Sequence, residues 1–158
     1  MNSAKKIIGR SKLKNLLARE RRNGKTVAFT NGCFDLLHKG HVSYLEAAKK
    51  PNRILVVGLN SDASIRRIKG KKRPIVHESQ RARVLAALQC VDYVTLFNEE
   101  TPYNLIKALR PDVLIKGADW KGKKVVGEDL VHRTELIKYL KRFSTTNIIK
   151  AILRKCAK

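Results

Sequence analysis

The chain is predicted to fold as a single α/β domain, a doubly wound parallel sheet. Three observations lead there. Segments such as Arg53–Leu59 (RILVVGL) are too apolar to alternate, as strands buried on both faces must be. Helix-period segments separate these strands in regular alternation. The length of 158 residues suits one domain of ordinary size.

The elements follow in order. Residues 1–10 are polar and basic and are expected to fray. Ser11 is read as the cap of a helix to about Arg22, with Leu13, Leu16 and Leu17 on one face and Asn23-Gly24 ending it. Thr26–Thr30 is a buried strand, and Gly40–Lys50 a helix stopped by Pro51-Asn52. After Arg53–Leu59 come a short helix over Ser61–Ile68, the basic loop Lys69–Arg73 and a helix over Glu78–Gln89. Val84, Leu85 and Leu88 are expected to point inward from that helix. Tyr93–Phe97 is a strand, and Thr101-Pro102 opens a helix to Leu109. Val113–Lys116 and Leu136–Leu140 are further strands, and Ser144 opens a last helix over Thr145–Arg154.

Composition narrows the function classes. A net charge of +22 predicts anionic partners. Aromatics make up only 6% and the basic residues are spread along the chain, so a specific nucleic-acid-binding module is disfavoured. Cys33, Cys90 and Cys156 form neither a disulfide framework nor a metal pair. No apolar run is long enough to span a membrane, and Met1–Arg10 lacks the apolar stretch of a secretory signal. A cytoplasmic location is expected.

In doubly wound sheets, ligands bind beyond the carboxyl ends of the strands. Beyond the first strand the sequence reads Thr30-Asn-Gly-Cys-Phe-Asp-Leu-Leu-His-Lys-Gly-His41. His38 and His41 are three apart at the mouth of a helix, whose free N–H groups attract anions. Gly32 and Gly40 carry no side chain, which would let a phosphate approach the backbone. Paired imidazoles there suit attack on the α-phosphate of a nucleoside triphosphate, where fixed donors stabilise developing charge. Cys33 is read as a packing residue.

GCFDLLHKGH resembles the GxFDxxHxGH signature of the cytidylyltransferase-like nucleotidyltransferases, a Rossmann-like superfamily that transfers AMP or CMP onto phosphates. Val57–Asp62, Lys69–Pro74, Gln80-Arg81, Val91–Tyr93, Glu100–Pro102, Lys116–Trp120 and Ser144–Ile148 match in the same order. The ensemble is most similar to the adenylyltransferase domains of ADP-heptose synthases. These transfer AMP from ATP to D-glycero-β-D-manno-heptose 1-phosphate for lipopolysaccharide core synthesis. The resemblance divides the chain into an N-terminal helical extension, residues 1–24, and a catalytic core, residues 25–151. It also implies a homodimer or larger assembly. Glycerol-3-phosphate cytidylyltransferase is the alternative within the superfamily, and Asp119-Trp120-Lys121-Gly122 is compatible with it.

The resemblance also implies roles. His38, His41 and Lys69 would be catalytic. The nucleotide would meet Thr30, Asn31, Gly32, Phe34, Gly40, Lys116, Gly117 and Asp119, and its phosphates Ser144, Thr145 and Thr146. Asp35, Arg73, Arg81 and Trp120 would bind substrate, Arg81 near either the nucleotide phosphates or the acceptor. For Asp35 a turn-fixing role stands beside acceptor binding, and for Arg81 a surface salt bridge is the rival. Trp120 suits a stacking face or a core or lid position, Ser144 also suits a plain helix cap, and Lys39 suits a place facing the phosphates or a solvated surface. Mg²⁺ is expected with the triphosphate, held mainly by phosphate oxygens and water, with no protein metal site. Lys141-Arg142-Phe143 departs from the RTEGIS that precedes STT in related cytidylyltransferases. A separate kinase is expected to supply the sugar 1-phosphate, because 158 residues leave no room for the fused kinase domain.

Overall fold

The computed structural model describes residues 2–138 and 143–156. Five strands form one parallel sheet in the order β3-β2-β1-β4-β5. They are β1 (Thr26–Gly32), β2 (Arg53–Asn60), β3 (Tyr93–Phe97), β4 (Val113–Gly117) and β5 (Arg133–Ile137). Among the described residues six α-helices accompany them: α1 (Arg10–Arg22), α2 (Lys39–Ala48), α3 (Asp62–Lys69), α4 (Glu78–Ala87), α5 (Tyr103–Leu109) and α6 (Thr145–Cys156). The doubly wound fold expected from the sequence is thus present. Strand order reverses at β1, so the crevice for a ligand opens between the carboxyl ends of β1 and β4.

The apolar strands alternate between two buried faces. Ala28, Leu55, Val57 and Ile115 pack with Leu45 of α2 and Leu85 of α4. Val27, Phe29, Val56 and Leu114 pack with Leu13 and Leu17 of α1 and Leu105 and Ile106 of α5. Gly58 in β2 has no alternative, because an added methyl would lie 2.5 Å from Cζ of Phe29. Leu13 and Leu17 are wholly buried, each contributing about 1.5–3 kcal/mol. Helix α1 therefore supplies part of the core.

Several local expectations differ from the structure. The N-terminal segment is tied down, because Lys6 Nζ donates to the carbonyls of Leu88 (3.0 Å) and Val91 (2.8 Å). Ile8 N–H likewise bonds the Val94 carbonyl at 2.9 Å. Gly9, not Ser11, caps α1, and Pro102 stands just before α5. The buried stripe of α4 is Arg81, Ala82, Leu85 and Ala86, which turns Val84 outward at 48% exposure. Strand β5 starts at Arg133, three residues before the expected strand, whose Tyr139 and Leu140 lie outside the described residues. Its short polar sequence (RTELI) occupies a sheet edge, where apolarity is not required.

Candidate active site

The turn after β1 places the histidines. Phe34 adopts φ 42°, a left-handed conformation, and its ring lies 5.1 Å from that of His41. His38 stands just before α2, and its carbonyl accepts from the His41 and Val42 amides at 2.9 and 3.2 Å. The two imidazoles stack with centroids 3.8 Å apart and planes 20° apart. Nδ1 of each is buried without a protein partner among the described residues. Burial pushes His41 down to about 4, helped by the charges of His38 and Lys69, and burial lowers His38 too. The His41 ring is therefore neutral at pH 7.

His41 opens on two adjoining cavities. One, about 490 Å³, lies at the switch point and is lined by Asn31, Gly32, Tyr44, Lys116, Asp119 and Trp120, among others. The other, about 410 Å³, includes Asp35, Ile65, Arg73, Thr145 and Thr146. Cys33, Phe34, His41 and Lys69 line both. Lys69 ends α3 with its side chain exposed.

Lys116 ends the buried run of β4. Its Nζ donates to Asn31 Oδ1 at 2.6 Å and sits 5.2 Å from the Trp120 ring. Burial lowers its pKa to about 8, and Asp119 partly opposes the shift. In the second cavity, Asp35 accepts from Arg73 Nη1 (2.9 Å), Ile75 N–H (2.8 Å) and Val76 N–H (3.0 Å). Thr145 Oγ1 donates to the Leu36 carbonyl at 3.3 Å, joining the start of α6 to the histidine loop.

With this geometry in view, comparison with known proteins is decisive. A model of the cytidylyltransferase-like family matches residues 29–151. The chain belongs to that family of nucleotidyltransferases. It is 57% identical to the bifunctional protein HldE of Syntrophotalea carbinolica over 152 residues, which cover 94% of this chain and 31% of the relative. It is 56% identical to HldE of Helicobacter pylori J99 over 142 residues, 90% of this chain and 31% of the relative. The chain thus spans about a third of the length of these curated relatives. A crystal structure of the lipopolysaccharide core biosynthesis protein from Thermoplasma volcanium matches with TM-score 0.59 and 30% identity. That match covers 72% of this chain and 98% of the other.

For a member of this family, the predicted residues fall into two groups. Asn31, Gly32, Phe34, Asp35, His41, Lys69, Arg73, Lys116, Gly117, Asp119, Trp120, Thr145 and Thr146 line the paired cavities. Thr30, His38, Gly40, Arg81 and Ser144 do not. Thr30 Oγ1 is paired with Tyr44 Oη at 2.9 Å. At Gly40 an added methyl would meet the His38 ring at 3.1 Å and Phe143 Cβ at 3.2 Å, so its bareness serves packing. Ser144 Oγ accepts from Asn147 N–H at 3.1 Å, a helix cap.

Arg81 is the largest departure from expectation. Its side chain is fully buried, and every guanidinium nitrogen bonds a protein acceptor rather than facing substrate or solvent. Lys141 and Arg142, where the sequence departs from RTEGIS, lie outside the described residues. Sequence reasoning missed Tyr44, Ile65 and the exposure of Cys33 to both cavities. Tyr44 carried a usable signal, since it follows His41 by three on α2 and so shares its face.

Proposed function

We propose that this chain transfers the AMP moiety of ATP to D-glycero-β-D-manno-heptose 1-phosphate, forming ADP-heptose and pyrophosphate. The observation that carries the proposal is the pair of cavities meeting at His41 and Lys69. One suits a nucleotide, with a tryptophan face and a strand-end glycine. The other suits a phosphorylated acceptor, with Arg73 and the hydroxyls of Thr145 and Thr146.

In this reading an acceptor phosphate oxygen attacks the α-phosphorus. A new P–O bond forms as the bond to the β-phosphate bridge breaks, and pyrophosphate departs with the electron pair. Lys69 offsets repulsion between the two approaching anions. A Nδ1 without a partner is cheaper as a bare lone pair than as an unmet donor, which leaves Nε2–H of His41 to stabilise the α-phosphoryl oxygens. His38 acts through the stack that fixes His41.

Mg²⁺ enters as part of the MgATP substrate. Among the described residues no three His, Cys, Asp or Glu side chains gather as a metal cage, and the Asp35 carboxylate is already engaged. In this reading phosphate oxygens and water are its main ligands. Assembly as a homo-oligomer and a cytoplasmic location belong to the same proposal. They are supported by the family resemblance and by three unpaired cysteines. No described helix is long and apolar enough to cross a membrane.

The test is pyrophosphate release with ATP or CTP and a panel of sugar and polyol phosphates. Turnover with ATP and the heptose 1-phosphate is expected. Turnover only with CTP and glycerol 3-phosphate would refute the proposal.

A further inference from the structure

Arg81 draws together three segments far apart in sequence. Nη1 donates to the Cys33 carbonyl at 2.5 Å, one residue before Phe34. Nη2 donates to the Asn60 carbonyl at 2.9 Å and to Asp62 Oδ1 at 2.6 Å, at the end of β2 and the start of α3. Nε donates to the Val76 carbonyl at 2.9 Å. Val76 is also held from its other side, its N–H bonding Asp35 Oδ1. Asp35 in turn pairs with Arg73, which lines the second cavity.

We propose that Arg81 is a positioning residue: with Asp35 it clamps Val76, locking the Arg73 segment to the turn that carries Phe34 and His41. This inference rests on the proposed reaction but concerns alignment of the two cavities. A planar fork with several fixed donors can bridge three carbonyls and a carboxylate at once, and an ammonium on a flexible stem cannot. Lys in its place retains a charge for Asp62 but loses the bridges. Of the residues lining the nucleotide cavity, Arg81 bonds Cys33 alone, through its backbone carbonyl, and Lys116, Asp119 and Trp120 make no bond to it, so ATP binding should largely survive while alignment suffers.

The experiment compares wild type with Arg81→Lys by steady-state kinetics and by hydrogen exchange over residues 73–78. The expected result is a folded variant with kcat about 10- to 100-fold lower, the scale of a small misplacement. Its KM for ATP should stay within about twofold, with exchange at the Ile75 and Val76 amides at least about tenfold faster. Wild-type kcat in folded Arg81→Lys, or unchanged exchange at those amides, overturns the inference. If Arg81→Lys does not fold, Asp35→Ala is measured instead, which removes the acceptor for the Ile75 and Val76 amides. A kcat-selective loss with faster exchange then supports the clamp, and wild-type kcat or unchanged exchange overturns it. A wild-type protein that releases no pyrophosphate would instead count against the proposed reaction, while exchange still decides the clamp.

Discussion

His41 lies stacked on His38, its ring centroid 3.8 Å away, and it alone of the two lines the cavities. In the proposed reaction the pair divides its work: His41 meets substrate and His38 holds it in place. His41→Ala is expected to lower kcat by about a hundredfold or more, the scale of a lost transition-state donor. His38→Ala should cost less, since it leaves the donor itself intact. Rapid-quench or coupled pyrophosphate assays on both variants check the order. Equal losses would contradict this division.

The depressed His41 pKa has a pH signature. Its folded value of about 4 lies below the ordinary 6.5. Between those values the unfolded chain binds more protons, so stability rises with pH through this window and falls on acidification. Urea midpoints from pH 7 to 4 should fall less steeply in His41→Gln. An anion beside the ring favours the protonated form, so pyrophosphate should raise the NMR titration midpoint of His41. An unmoved midpoint would place the phosphates elsewhere.

Lys69 is exposed at the end of α3, and both cavities reach it. An exposed lysine contributes little to folding, so Lys69→Ala should leave the melting temperature nearly unchanged. Activity should fall at least about tenfold, because the repulsion between two phosphates is no longer offset. Parallel thermal melts and kinetics test this. Full activity in the variant would remove Lys69 from the machinery.

The sequence made some of this legible for identifiable reasons. Strands β1 and β2 were readable to within two residues, because a strand covered on both faces is a plain apolar run. His38 and His41 were readable because a short motif between strand and helix carries them. Arg81 was not, since a charged residue on a helix reads as surface. Its burial follows from carbonyls at positions 33, 60 and 76, which only the fold brings together. The Lys116–Asn31 bond likewise depends on β4 crossing back to β1. At Gly40 spacing does not reveal that an added methyl would sit tightly, 3.1 Å, against the His38 ring.

Lys116 supplies the last prediction. At pH 7 it is mostly charged, and its pKa of about 8 lies below the ordinary 10.5 because burial disfavours the ammonium. As pH rises through 8, the folded protein loses a positive charge from the nucleotide cavity, so the KM for ATP should rise there. Stability moves the other way: between about 8 and 10.5 the unfolded chain binds the extra proton, so folding gains with pH. Deprotonation of Lys116 would therefore not itself cause unfolding in this range. Asp119 favours the charged form, so Asp119→Asn should shift the rise in KM to lower pH. Lys116→Arg stays charged and should abolish the rise, even if its bulkier fork raises KM throughout. Titrating ATP affinity by calorimetry from pH 7 to 9.5 in the three proteins decides the matter. An alkaline loss of affinity that persists in Lys116→Arg would assign it to another group.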